Sequence, residues 1–244
     1  MNTLGSFLEV SIVIFVATAF RTSFGFGEAL IAVPLLSLLL PIKVAAPVAV
    51  LTSVVVALVS VIRDHEHIHI SSAKKLLLAT AVGLPFGLLT LRYAPEEITK
   101  GILGLLLLGF SVFSLVRPHF FSLKSDRFIW LFGFLAGVTG GSYGMNGPPL
   151  AIFGAARGWT PSQFRATIQA YFLPASLLGL LGYYFSGLWT KDVNILFAYS
   201  LPAIVLGILC GNTLAKAMNA ERFRLFLYAG LIVVSCVLMV QGLL

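Results

Sequence analysis

The sequence predicts an all-α polytopic membrane protein made of two inverted-topology repeats. Each repeat is a broken or re-entrant helical hairpin plus three transmembrane helices. Three observations predict this. Of 244 residues, 59% are hydrophobic and 10% charged, against about 25% charged in a soluble domain. Apolar runs recur along the whole chain, without the period-2 alternation and regular turns of a membrane barrel. The order of the runs also repeats, as a glycine-rich break, a short polar link and then three spans. Eight full spans are the alternative.

Residues 10–40 form one apolar run, interrupted at Thr22-Ser23-Phe24-Gly25-Phe26-Gly27-Glu28. Residues 44–62 are long enough to span a bilayer, and 63–69 are a polar loop. Spans follow at 76–91 and 98–116, then a basic loop at 117–127. The second interrupted run is 128–153, and spans at 164–185, 193–215 and 223–240 complete the chain. The repeats are therefore 1–127 and 128–244. Gly25 answers Gly144 at an offset of 119, and Gly87 answers Gly207 at 120.

The second interruption reads Gly140-Gly141-Ser142-Tyr143-Gly144-Met145-Asn146-Gly147-Pro148-Pro149. Glycine permits positive φ, and proline lacks a backbone donor and fits best at a helix start. A helix entering at Phe128 is expected to break near Gly140, and a second to start near Pro148 with Asn146 or Gly147 as its cap. In lipid such a break is tolerated only inside protein or beside a water-filled cavity. Both interruptions are thus candidate sites.

Charge counting addresses the topology. If both interrupted runs cross fully, Lys and Arg divide eight against seven between the two sides. If both return to the side they entered, the division is eleven against four, with Arg21 inside the first hairpin. The bias of basic loops toward the cytoplasm favours the second arrangement, with both termini outside. The run 128–140 then reaches about 20 Å, the middle of the roughly 30 Å hydrocarbon layer. The two hairpin tips would meet there. Paired interrupted segments in a duplicated chain point to a secondary transporter, the two repeats forming one transport domain in which one half rocks against the other.

Each tip starts a second half-helix, near Gly27 and near Pro148. Unpaired N–H groups and the positive end of the helix dipole favour an anion there. The bland reading of these glycines is close helix packing. Arg21 lies about one turn before the first break, as a counter-charge for an anionic substrate or as the partner of Glu28. Glu28 is either a proton carrier or a carboxylate stabilising its own half-helix. The second half has Gly140 and Gly147 at the matching positions, so the site would be chemically lopsided. Candidate substrate-binding residues are Arg21, Phe24, Gly25, Gly27, Gly141, Ser142, Tyr143, Gly144, Asn146 and Gly147, with Tyr143 and Phe24 as walls.

Other classes are excluded by what the residues lack. The net charge of +7 is explained by cytoplasmic loops, without nucleic acid. The first apolar run has no basic residue before it and reads as a span, not a cleaved signal. Cys210 and Cys236 lie in apolar runs and read as small core residues. His65, His67 and His69 would share one face of an extended segment, but a polar loop explains them without a metal. No GxSxG, Walker A or HExxH pattern occurs, so neither an enzyme nor a cofactor is expected.

The stretch from Gly133 through Leu150, with Gly25-Phe26-Gly27 and Pro34-Leu35-Leu36 in the first half, resembles the TauE/SafE family of sulfite exporters and toluenesulfonate-uptake permeases. The resemblance covers essentially the full length. It implies transport of sulfite, sulfonates and related anions across the cytoplasmic (inner) membrane of a prokaryote. Partners are then the lipid bilayer and a small anionic substrate. An anion channel using the same site is the alternative.

Overall fold

The computed structural model describes residues 3–63, 70–116, 123, 125–217 and 220–243. Among these, the first half contributes α1 (Thr3–Phe24), α2 (Glu28–Leu39), α3 (Ile42–Arg63), α4 (Ile70–Tyr93) and α5 (Glu96–Val116). The second contributes α6 (Ile129–Tyr143), α7 (Gly147–Ala156), α8 (Pro161–Phe185), α9 (Lys191–Ala217) and α10 (Ala220–Gln241). No strand occurs among the described residues. Five helices are long and apolar enough to cross a membrane, namely α1, α3, α4, α5 and α9. The histidine-bearing loop lies outside the described residues.

The two short helices explain where the core sits. At 12 and 10 residues, α2 and α7 extend only about 18 and 15 Å. Neither can cross the hydrocarbon layer. Consecutive residues of α2 are buried from Glu28 to Pro34, so it is enclosed on every side, as an all-apolar helix must be. Around it the long helices pair closely. The face of α6 carrying Gly133, Gly137 and Gly141 meets the face of α4 carrying Gly83 and Gly87, and a Cβ on Gly137 would strike the backbone at Thr80 and Leu84. Gly207 and Gly211 bring α9 onto α1 in the same way. Helix α5 packs on α10, and α3 crosses α8. Small residues let helix backbones approach where lipid supplies no hydrophobic drive for association.

Three expectations are corrected here. Helix α6 does not break near Gly140 but runs on to Tyr143, and the break is at Gly144–Asn146. Gly140 and Gly141 serve as packing positions, where a Cβ would strike Asn146 and α4. Likewise α1 continues through Thr22 and Ser23, whose hydroxyls donate to Thr18 O and Ala19 O at 2.9 and 2.8 Å. The Thr22 hydroxyl is satisfied within the helix, and the Ser23 hydroxyl also reaches Gly211 O of α9 at 2.9 Å. The first break is then Gly25–Gly27, with φ of 85° and 97° at its two glycines. Finally, Cys236 is exposed on α10 and is not a core residue.

Candidate functional site

The two breaks open on one cleft. Arg21, Gly27 and Glu28 line it from the first break, and Asn146 and Gly147 from the second. Gly27 precedes α2 with φ 97°, and Gly144 ends α6 with φ 65°. Both are left-handed backbone that strains other residues. A Cβ would also come within 2.7 Å of the Phe20 ring at Gly27 and 2.6 Å of Val50 Cγ2 at Gly144. The two helix starts are chemically unequal. Glu28, Ala29 and Leu30 line the cleft from the first turn of α2, where a helix leaves its N–H groups without an intrahelical partner. At α7 the first turn reads Gly147-Pro148-Pro149, and proline has no N–H to give.

A buried ion pair sits at the α2 end. Arg21 Nη1 donates to Glu28 Oε2 at 2.7 Å, with the side chains 6% and 1% exposed. The same Nη1 also donates to the Ser53 carbonyl at 3.2 Å. Glu28 is held by two hydroxyls as well, accepting from Ser53 Oγ at 2.9 Å and from Thr18 Oγ1 at 3.3 Å. The Arg21 guanidinium lies over the Phe172 ring, 5.1 Å from its centroid. Among the described residues, every hydrogen bond of Arg21 thus leaves from Nη1. Its Nε and Nη2 have no hydrogen-bond partner among the described residues. A guanidinium edge of that kind is shaped for two oxygens of one anion.

The family model described as sulfite exporter TauE/SafE matches residues 10–238. The chain belongs to that family. Membership implies a multi-pass membrane transporter of the sulfite-exporter type, in a family of transporters rather than enzymes. No curated protein and no solved structure matches the chain.

Within this TauE/SafE chain, the residues singled out in the sequence divide by position. Arg21, Gly27, Glu28, Gly144, Asn146 and Gly147 all line the cleft. Gly25 forms the turn behind it, its N–H bonded to Arg21 O at 2.6 Å. Phe24, Gly141, Ser142 and Tyr143 are not among the lining residues. Phe24 packs on Phe20 with ring centroids 4.8 Å apart. Gly141 lies against α4, where Ser142 Oγ donates to Gly87 O at 3.0 Å. Tyr143 is buried and its hydroxyl donates to Thr99 O on α5 at 3.0 Å. Asn146 is at the start of α7 but makes no side-chain cap bond. Its Oδ1 is buried without a hydrogen-bond partner and faces Gly140.

The cleft also contains residues the sequence reasoning passed over, Ser53, Phe172 and Ser176 among them. Phe172 follows Ser53 by 119 positions, the same offset as Gly144 from Gly25. Ser53 turns its hydroxyl toward Glu28 and Phe172 its ring toward Arg21. That offset is the signal that would have found them. Thr18 carried another, lying three residues before Arg21 and so on the same helix face.

Proposed function

We propose that the chain is a secondary transporter of small sulfur-containing or organic anions, sulfite- or sulfonate-like, with the anion held in the cleft between the starts of α2 and α7. The observation that carries this reading is the Arg21 guanidinium, which lines the cleft with its Nε and Nη2 edge unbonded. The N–H groups of Glu28, Ala29 and Leu30 supply further donors, and the dipole of α2 adds positive potential. Gly27, Gly144, Asn146 and Gly147 shape the wall. On this reading Phe24, Gly25, Gly141, Ser142 and Tyr143 position the two breaks rather than touch the anion.

The inverted repeat belongs to the same proposal. Exchanging the halves carries the α1–α9 pair onto α6–α4, and returns α5–α10 and α3–α8 to themselves. This pairing supports two structurally equivalent repeats, 1–127 and 128–244. The Lys and Arg distribution supports termini outside a prokaryotic inner membrane.

The test is thermal stabilisation of the purified protein by sulfite, sulfate, thiosulfate, taurine, sulfoacetate, methanesulfonate and carboxylate counterparts. An anion at 100 times its Kd adds about 2.7 kcal/mol. Stabilisation by sulfonates over carboxylates, lost in Arg21→Ala/Glu28→Gln, is the expected result. Equal stabilisation of that double variant and the native chain would remove Arg21 from the site.

A further inference from the structure

We infer that the anion and one proton occupy the site together, the anion on the free edge of Arg21 and the proton on Glu28, so that transport is a one-to-one, electrically neutral symport. This rests on the anion site proposed above and adds its coupling ion. The Arg21–Glu28 pair alone has no net charge. The geometry does not require an arriving anion to break it, because Glu28 occupies only Nη1 and leaves Nε and Nη2 unbonded. One guanidinium would then face two anions, with the Glu28 side chain only 1% exposed and one negative charge in excess. Buried charge without a partner is strongly disfavoured. A proton from solution removes the excess by converting the Glu28 carboxylate to a carboxylic acid. The charges before are Arg21 positive and Glu28 negative. Afterwards they are Arg21 positive, the anion negative and Glu28 neutral, and the sum is zero in both states.

The surroundings of Glu28 suit both forms. Ser53 Oγ and Thr18 Oγ1 now donate to the carboxylate. A hydroxyl can rotate and accept instead, so the acid form keeps its partners. Arg21 on α1 is the one charged group in contact with Glu28 among the described residues. Helix α3 contributes Ser53, and the α7 start and α8 contribute Asn146, Phe172 and Ser176 to the lining, none of which titrates in this range. Helices α5 and α10 also pack on α2, but bring no residue to the cleft lining. On α10, Tyr228 packs against Phe110 of α5. The proton therefore has one acceptor.

The experiment is calorimetric titration of the purified full chain with methanesulfonate, which stays a monoanion between pH 5 and 9. Titrations in two buffers of different ionisation enthalpy read the protons taken up per anion bound. The expected uptake approaches one at the alkaline end, where affinity falls about tenfold per pH unit. Glu28→Gln mimics the acid form, and is expected to bind with no proton uptake and an affinity independent of pH. Native protein that binds methanesulfonate with no proton uptake at any pH would overturn the inference and leave the anion site standing. So would unchanged pH dependence in Glu28→Gln. The native measurement decides alone if that variant does not fold. Absence of methanesulfonate binding at every pH would overturn the anion site itself, and the coupling with it.

Discussion

Arg21 and Glu28 are seven residues apart, on opposite sides of a three-residue break. Their pairing shows how a charge can be kept inside an apolar bundle. Neither is stable there alone, and breaking a buried pair by removing one partner costs about 3–5 kcal/mol. Arg21→Ala is therefore expected to lower the melting temperature sharply, whereas Arg21→Ala with Glu28→Gln recovers most of the loss. The same double variant should still fail to bind anions. Thermal melts with and without anion separate the two effects, and equal melting of the single and double variants would contradict the pairing argument. At Gly144 the cause is different. Ala there meets a φ of 65° and a Cβ placed 2.6 Å from Val50 Cγ2. The backbone term is about 1–3 kcal/mol, with the collision added. Ala at Gly187, where φ is 72° and nothing lies within 4 Å, should lose the backbone term alone. The difference between the two melts measures the collision.

At the scale of the helix, the contact of α4 with α6 sets the geometry of the second break. Gly133, Gly137 and Gly141 lie on one face of α6, spaced four apart, and each meets α4 backbone. Gly137→Leu must push the two helices apart, since the obstructing atoms are main chain and cannot rotate away. The expected loss exceeds the about 1–3 kcal/mol of an ordinary overpacked core. Gly109, with nothing within 4 Å of its Cβ position, should accept Leu with little change. Comparable yields of folded protein for Gly137→Leu and Gly109→Leu would show that the close approach is dispensable. This contact also explains a shift between sequence and structure. A Gly-Gly-Ser run reads as a helix breaker by propensity, yet residues 140–142 are helical. Propensity counts only the local chain, whereas here the missing side chains admit a neighbouring helix.

For the whole molecule, the pairing of helices across the halves limits how the cleft can open. Helix α4 of the first half is locked to α6 of the second, and α9 of the second to α1 of the first. Rocking of one sequence half against the other would tear both contacts. The interface at the cleft is instead α3 with α8, which bring Ser53 and Phe172 to its lining. An ideal Cβ on Gly179 of α8 would sit 3.8 Å from Val50 Cγ1 of α3. A disulfide between Val50→Cys and Gly179→Cys, in a chain with Cys210 and Cys236 replaced by Ser, is expected to stop anion flux in proteoliposomes. Reduction should restore it. Undiminished flux with the bond formed would place the moving interface elsewhere.

The sequence by itself determined that this is an all-helical membrane chain with two interrupted segments, because apolar runs and helix-breaking residues act locally and through the solvent. Gly27 and Gly147 were legible as the starts of the second half-helices for the same reason, whereas the end of α6 was expected at Gly140 and lies at Gly144. Arg21 stood out as a charge with no surface loop to reach, and Glu28 as its possible partner. Only the tertiary structure decided that Arg21 spends a single nitrogen on Glu28, that Ser53 and Phe172 complete the cleft, and that Ser142 and Tyr143 turn away to α4 and α5. Those outcomes depend on which helix faces lie together. Helices joined through distant parts of the chain set that arrangement, and no pattern within one segment encodes it.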